Sequence, residues 1–405
     1  MPPEITRPAR SALTVIVCAA LIVTIAMGVR QAFGLFLRPL AMDLEVGRQA
    51  FGLAVALQNL VFGLAQPFVG ALADRRGAGK IVMVGAVVYA LGLVLTTFAT
   101  GPAMLNLTLG LMVGLAMSGT TFVVVFGPVA RAVAPEKRSQ ALGLVTAGGS
   151  LGQFLVVPAV QAALSSLDWK PAMLLMAALT GLMVLLAVGV AGKPPEPASD
   201  ANETPLGEAI GQAFGDRNFW LLNAGFFVCG FHIAFVGTHL PAYLSDNGLS
   251  QSVGAGALAL IGLFNIFGSY LFGLWGGRRS KKRLLAVLYA ARGMAIAVFV
   301  LVPLTPASAL VFAAVFGFLW LGTVPLTSGL VGQIWGLRYL STLYGVVFLS
   351  HQVGSFIGAW WAGAVFDALG GYGPVWLVSI GLALAAALAN LPIRETPYRP
   401  AMARA

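Results

Sequence analysis

The chain has 405 residues, of which 59% are hydrophobic and only 9% are charged, whereas about 25% of residues are charged in ordinary soluble domains. There are too few charges to cover a water-soluble surface, so the composition excludes a soluble globule and predicts a protein with many membrane-spanning segments. The net charge of +10 has the sign that favours nucleic acid, but with so few charges we expect no nucleic-acid partner.

Twelve apolar runs follow one another along the chain, each long enough for a helix to cross the hydrocarbon core, which takes about 20 residues. The runs lack the alternation of membrane β-strands. The predicted fold class is therefore an all-α membrane protein with twelve transmembrane helices. The runs are residues 12–38, 50–73, 80–100, 103–131, 139–164, 170–191, 217–244, 252–276, 284–304, 307–334, 341–367 and 372–392.

Basic residues are distributed unevenly among the segments that connect these runs. If the N-terminus is cytoplasmic, 19 of the 24 Lys and Arg residues fall on the cytoplasmic side and three, Arg38, Arg48 and Lys170, on the outer side. Lys and Arg concentrate in cytoplasmic loops, so we expect both termini in the cytoplasm and the protein in a bacterial inner (plasma) membrane. The other two, Arg30 and Arg292, lie within runs and are not explained by orientation.

A Pro-rich, polar stretch separates the sixth run from the seventh. We predict an N-terminal six-helix bundle (1–192), a cytoplasmic linker (193–216) and a C-terminal six-helix bundle with a short cytoplasmic tail (217–405). The bundles are expected to be pseudo-symmetric, because similar residues recur at an offset of 202–203. Such duplicated bundles are typical of secondary transporters, whose substrate site lies between the repeats. The matched positions are Gly70–Gly77 with Gly273–Ser280, and Gly143, Gly152 and Phe154 with Gly345, Gly354 and Phe356.

Ionisable side chains inside a membrane span are costly, so each is a candidate site residue. Arg30 could hold a carboxylate through two parallel hydrogen bonds, or could extend to the outer interface. Arg292 could belong to a substrate site or could bond the carbonyls of a helix end. His232 could bond substrate or carry a coupled proton, or could make an ordinary bond between helices. No acidic residue lies in the middle of a run, which leaves the two arginines free to meet an anion.

Four further residues complete the predicted substrate site: Gln153, Asn265, His351 and Gln352. Adjacent residues of a helix point about 100° apart, so we expect only one of His351 and Gln352 to face the cavity. The histidines of the seventh run have no third ligand at metal spacing, and we expect neither a metal nor a cofactor.

The segment Gly70–Gly77 reads Gly-Ala-Leu-Ala-Asp-Arg-Arg-Gly and resembles the signature that follows the second helix in the major facilitator superfamily. The layout of twelve runs and the half-chain repeat fit the same family. The resemblance implies a conformational latch; the alternative is simple anchoring of the second helix. The latch residues implied are Gly70, Asp74, Arg75 and Gly77.

Three stretches, Gly28–Leu40, Lys137–Gly148 and Gly230–Pro241, are similar to the monocarboxylate porter and oxalate–formate antiporter branch of that superfamily. The resemblance implies a secondary active transporter that moves a small organic anion, a monocarboxylate, by proton symport or anion exchange. The branch often carries an Arg in the eighth helix. Here that position falls near Ser269, with Asn265 one turn earlier, so the anion-binding role is not carried over.

Two other classes of function compete with this one. Drug or metabolite efflux by proton antiport suits the apolar runs, but the fifth run lacks the Gly-Pro-x-x-Gly-Gly pattern of many such pumps. A nutrient sensor should have a long soluble extension, and a membrane enzyme should have a catalytic constellation; neither is present in the sequence. We therefore expect a monomeric transporter rather than an enzyme, with a small organic anion, the lipid bilayer and protons as its partners.

Overall fold

The computed structural model describes residues 11–134, 138–192, 206–336 and 340–397. Within them the chain is helical throughout, and a π-helical segment, Asn106–Met112, joins α4 to α5. The helices are α1 (Ala12–Asp43), α2 (Arg48–Arg76), α3 (Ala78–Thr96), α4 (Pro102–Leu105), α5 (Val113–Thr120), α6 (Phe122–Ala132), α7 (Arg138–Ser166), α8 (Trp169–Gly181), α9 (Met183–Leu186), α10 (Leu206–Phe214), α11 (Arg217–Asp246), α12 (Gln251–Arg278), α13 (Lys281–Leu301), α14 (Pro306–Phe318), α15 (Thr323–Trp335), α16 (Leu340–Leu369) and α17 (Gly373–Asn390).

Eleven helical stretches in the described part of the chain are long and apolar enough to cross a membrane, and each coincides with a predicted run. The remaining run, 341–367, corresponds to α16, which has 30 residues but carries Ser350, His351 and Gln352 at its middle. The all-helical membrane fold is confirmed, while the count of twelve spans stays a prediction. Of the predicted linker, residues 193–205 lie outside the described residues, and the rest contains α10.

Local chemistry explains where several helices begin and end. The Ser11 hydroxyl accepts a hydrogen bond from the Thr14 amide at 3.1 Å, and the Asp216 carboxylate caps α11 through the Asn218 amide at 2.9 Å. Between α2 and α3, Gly77 has a φ of +92°, a conformation that costs glycine little. A β-carbon there would lie 2.9 Å from the Gly192 carbonyl oxygen. Gly77 of the signature segment therefore has a structural role in this turn.

Two membrane spans are interrupted at equivalent points. The span Pro102–Ala132 breaks at Thr121, whose backbone is extended, and the span Pro306–Trp335 breaks between α14 and α15, just before Thr323. Thr121 and Thr323 are 202 residues apart, which is the predicted offset of the internal repeat. The two interruptions thus lie at matching positions of the two sequence repeats.

We call α1–α9 the first half and α11–α17 the second half; the linker end is the one that carries Arg76 and α10. The halves meet mainly through α1 with α11, α2 with α16, and α7 with α12. By contrast, α6 packs on α1, α2, α3, α5 and α7, and α15 packs on α11, α12, α13 and α16, each within its own half. At the α1–α11 contact a β-carbon on Gly34 would collide with the Gly237 carbonyl oxygen, so the two backbones touch there.

At the end opposite the linker, a cluster that we call the Arg48 clamp joins the halves. Arg48, at the start of α2, donates to both carboxylate oxygens of Asp246, at 2.5 and 2.7 Å. Its guanidinium lies 3.7 Å from the centre of the Phe366 ring and donates to the Tyr372 hydroxyl at 3.0 Å. These partners all belong to the second half.

The last member of the Arg48 clamp is Asp367, which serves as the N-terminal cap of α2 although it lies in α16. Its carboxylate accepts the backbone N–H groups of Arg48 at 2.9 Å and Gln49 at 2.8 Å. Amide groups at a helix start have no partner within the helix, and the helix dipole favours a negative charge there. The clamp therefore holds α2 against the second half through the side chain of Arg48, and against α16 through the backbone N–H groups of Arg48 and Gln49.

Candidate functional site

A small cavity lies between the halves, near the middle of the lengths of α1, α2 and α11, where these helices meet. Its walls include Arg30, Val55, Asn59, Ile233 and Thr238. Gly34 borders this cavity and also a second one nearer the opposite end, beside Arg38 and Gln161. The contact of Gly34 with Gly237 therefore separates a central cavity from an outer one.

Arg30 provides the positive charge of the central cavity. Its Nη2 donates to the Asn59 side-chain oxygen at 2.5 Å, and its guanidinium lies 5.6 Å from the centre of the Phe62 ring. Within the described part of the chain, the ion pairs are Arg48 with Asp246 and Lys170 with Asp43, so no described carboxylate neutralises Arg30. A guanidinium with only a neutral side-chain partner can accept an anion without first breaking an ion pair.

Gln352 and His351 lie on the other side of the interface and connect to Asn59, the partner of Arg30. Gln352 Nε2 donates to the backbone oxygen of Asn59 at 2.9 Å, and its Oε1 lies 3.0 Å from His351 Nδ1. The His351 ring stacks on Phe348, with centroids 5.5 Å apart. Gln352 therefore meets the first half directly, whereas His351 packs inside the second half.

Gln153 and Asn265 form two further bridges between the halves. Gln153 accepts from Gln31 at 2.9 Å and donates to the Leu258 carbonyl at 2.7 Å. Asn265 donates to the Ser150 hydroxyl at 2.8 Å, and its oxygen accepts from the Leu321 amide at 3.0 Å. The structure places both predicted residues at the interface, but their amides already have partners in the protein.

Arg292 lies apart from the cavity. Its side chain is fully buried, and its Nη2 donates to the carbonyls of Leu319 and of Trp320, the latter at 2.8 Å. These carbonyls belong to the break between α14 and α15, where helical bonding lapses and other donors must satisfy the backbone. Of the two interpretations open from the sequence, the bonding of helix-end carbonyls accounts for the contacts of Arg292.

His232 is also directed away from the cavity. Its Nε2 lies 2.9 Å from the Ser379 carbonyl oxygen of α17, and its side chain is fully buried. His239, two turns further along α11, bonds the Ala359 carbonyl at 2.8 Å and the Tyr372 hydroxyl at 3.0 Å. Both imidazoles thus make bonds between helices, the alternative that the sequence left open for His232.

The signature segment lies at the end of α2 and begins about three turns along that helix from Asn59, the partner of Arg30. A β-carbon on Gly70 would come within 2.9 Å of Val123 in α6, so this glycine allows close packing. Arg75 is exposed, and the Asp74 side chain lies outside the described residues. The two glycines are thus explained by packing and by the turn, and the latch role stays a prediction.

Two pairings in this region could not be predicted from the sequence. Asn59 has the sequence signal of a candidate site residue, a polar residue in an apolar run, but nothing in the sequence identifies it as the direct partner of Arg30. The Arg48 clamp joins residues up to 324 positions apart, and no local pattern indicates such a pairing. The available signals were acidic residues at or just beyond the end of a run, namely Asp246 and Asp367.

A membrane-embedded helical bundle whose two similar halves enclose a central polar cavity has the construction of a secondary transporter. The family model described as Major Facilitator Superfamily matches residues 19–359. The chain belongs to this superfamily, and it is accordingly a multi-pass membrane transporter and not an enzyme.

Relatives with known names extend over most of the chain. The uncharacterised MFS-type transporter YcxA of Bacillus subtilis is 25% identical over 359 residues, covering 85% of each chain. Human monocarboxylate transporter 11 is 28% identical over 373 residues, covering 88% of this chain and 77% of the relative. Rat monocarboxylate transporter 13 is 26% identical, covering 88% and 83%.

Two solved structures share the fold. A mutant of the nucleoside transporter NupG has a TM-score of 0.78 at 13% identity, covering 94% of this chain and 99% of that one. A bacterial homolog of the human lysosomal transporter Spinster, inward-facing and unoccupied, has a TM-score of 0.70 at 16% identity and covers 94% of both chains. At these identities the likeness concerns the fold alone.

Proposed function

We propose that the protein transports a small monocarboxylate by alternating access, with Arg30 holding the carboxylate. The observation that carries this proposal is the pairing of the Arg30 guanidinium with a neutral amide, that of Asn59, at 2.5 Å. A carboxylate in the cavity would form charge-assisted hydrogen bonds with the remaining N–H groups of the guanidinium.

The surroundings of Arg30 favour an anion with one charge and a small apolar body. Val55, Ile233 and Ala234 contribute apolar wall, and Phe62 lies against the guanidinium. A dicarboxylate would bring a second negative charge. The other arginine within a membrane span, Arg292, is not placed to pair with that charge, because it is fully buried in the second half. The relatives named monocarboxylate transporters support the same substrate class.

The coupling and placement of the protein are further parts of the proposal. Transport is driven by proton symport or by anion exchange, and His351 is a titratable group linked through Gln352 to Asn59, which lines the cavity. Both termini lie in the cytoplasm, because most basic residues lie at the linker end. The protein works as a monomer of two six-helix bundles in a bacterial inner membrane, with Asp74 and Arg75 as part of a latch.

Uptake into proteoliposomes tests the substrate class. Purified protein is reconstituted and supplied with labelled pyruvate, lactate, formate or oxalate, under an inward proton gradient and, separately, with unlabelled anion inside. We expect uptake of the monocarboxylates to exceed that of oxalate. Transport of a cationic or neutral drug, with no carboxylate uptake under either condition, would contradict the proposal and favour efflux.

A further inference from the structure

Asn59 is held at both ends of its side-chain amide. Its Nδ2 donates to the Val55 carbonyl, one turn earlier, at 3.0 Å, and its oxygen accepts from Arg30. A guanidinium has only donors, so the amide oxygen must face Arg30 and the NH₂ group must face a carbonyl. Asn59 is only 3% exposed. The chemistry thus allows one orientation of this amide, and that orientation fixes one edge of the guanidinium.

The neutrality of residue 59 matters as much as its position. An aspartate of the same shape would pair with Arg30 and cancel the charge that a substrate carboxylate needs. The amide instead leaves the charge in place while restricting the guanidinium between itself and the Phe62 ring, 5.6 Å away. A binding group restricted in its bound geometry loses less entropy when ligand arrives.

The same residue receives a contact from the second half. Gln352 Nε2 donates to the Asn59 backbone oxygen at 2.9 Å, and Gln352 is fully buried. A β-carbon on Gly63 would lie 2.6 Å from Gln352 Cγ, so the glycine makes room for this side chain. Because its other amide atom faces His351, Gln352 makes its contacts with protein groups on both sides.

We propose that Asn59 is a positioning residue for Arg30, and that Gln352 acts on Arg30 through Asn59 rather than by binding substrate. The proposal rests on the proposed function of Arg30. In this role Asn59, which is neutral and is bonded to Arg30 and to Gln352, links carboxylate binding to the contact of α2 with α16. When those helices separate, Asn59 loses its partner from the second half while keeping its bond to Arg30.

Titration of the purified, full-length protein with sodium pyruvate and, in parallel, sodium lactate tests this role. Asn59→Asp should weaken binding by at least about tenfold, because it replaces charge-assisted bonds to the ligand with an internal ion pair. Asn59→Ala should weaken binding about threefold to tenfold, since only positioning is lost. The ligand-free thermal stability should fall less for Asn59→Asp than for an aspartate placed at a buried asparagine with no arginine partner, because the ion pair with Arg30 offsets the lost bond to the Val55 carbonyl; an equal fall at both sites would show a merely structural asparagine.

Asn223 supplies a matched control. It is buried in α11 and bonds the carbonyl four residues earlier at 2.8 Å, as Asn59 does, but it has no arginine partner in the described part of the chain. Asn223→Asp should lower ligand-free stability, because it buries an unpaired charge. Asn223→Ala should leave the affinity of the folded protein unchanged.

A double-mutant cycle separates Gln352 as a positioning contact from Gln352 as a ligand. If Gln352 acts through Asn59, Gln352→Ala should have little further effect on affinity in the Asn59→Ala background. Additive losses would overturn that part of the proposal, and wild-type affinity in both Asn59 variants would overturn all of it. Absence of binding by the wild type would instead contradict the proposed function, and this inference with it.

Discussion

The Arg48 clamp should set how readily the protein opens at the end opposite the linker. Asp246→Asn keeps the size of the side chain but removes the charge that Arg48 bonds through two atoms. The side chains of Arg48 and Asp246 are only 11% and 23% exposed, so solvent screens the pair weakly. Charge-assisted hydrogen bonds contribute about 1.5–3 kcal/mol net, and we take about 2 kcal/mol for the loss.

This loss acts on the opening equilibrium, because the pair joins the first half to the second and cannot persist once α2 and α11 part at that end. Each 1.4 kcal/mol is a factor of about ten in an equilibrium constant. The population open at the opposite end should therefore rise about 25-fold. The other contacts of the clamp, including the Asp367 cap of α2, stay in place and keep the closed form accessible.

Labelling of Thr238→Cys measures this population. Thr238 is 4% exposed and lines the central cavity, behind the contact of Gly34 with Gly237. With the proposed cytoplasmic termini, the end opposite the linker faces outward, so in right-side-out vesicles a membrane-impermeant maleimide should label this cysteine about 25 times faster when Asp246→Asn is also present. The same membranes without Thr238→Cys give the background from Cys18 and Cys229.

Asp43→Asn is the matched control for this measurement. Asp43 pairs with Lys170 at 3.4 Å, but both residues belong to the first half and are about half exposed, so the pair should not affect opening. An equal rise in labelling with Asp43→Asn, or no rise with Asp246→Asn, would refute the assignment of the clamp as an interhalf lock.

Two further substitutions test the closed interface and the scaffold. Gly34→Val places a side chain where a β-carbon already collides with the Gly237 carbonyl, so α1 and α11 should no longer pack together there. Proteoliposome uptake of pyruvate should be lost while equilibrium binding persists. Wild-type uptake would show that transport does not require this contact between α1 and α11. Arg292→Gln removes the charge-assisted bonds to the carbonyls of Leu319 and Trp320, so the free energy of unfolding should fall by about 2 kcal/mol in a denaturation titration, with unchanged pyruvate affinity. Lost affinity at unchanged stability would return Arg292 to the substrate site.

The helices could be predicted from the sequence because length and hydropathy define a membrane span with little help from tertiary structure. The predicted runs match the observed helices to within a few residues. The interruption at Thr121 and the one before Thr323 could not be predicted in the same way, because the small and hydroxyl-bearing residues at the breaks, Ser118–Thr121 and Gly322–Thr323, are also common within continuous membrane helices. Only the pairing of the freed backbone groups, such as the Arg292 bonds to Leu319 and Trp320, makes such a break stable in the membrane.

Only part of the candidate site could be predicted. Arg30 stood out because a charge within a span needs an explanation, and the same reasoning selected Arg292, which the fold uses elsewhere. Sequence position does not say which way a helix face points in the packed bundle. The bond between Gln352 and Asn59 joins residues 293 positions apart, and it depends on the space that Gly63 leaves rather than on any local pattern.

The central claim is that Arg30 holds the carboxylate, and uptake of labelled pyruvate by Arg30→Gln proteoliposomes tests it most directly. Arg38→Gln is the control, since Arg38 lies two turns further along the same face of α1 and is exposed. With equal amounts of folded protein reconstituted, Arg30→Gln should lose pyruvate uptake while Arg38→Gln retains most of it. Wild-type uptake by Arg30→Gln would contradict the account.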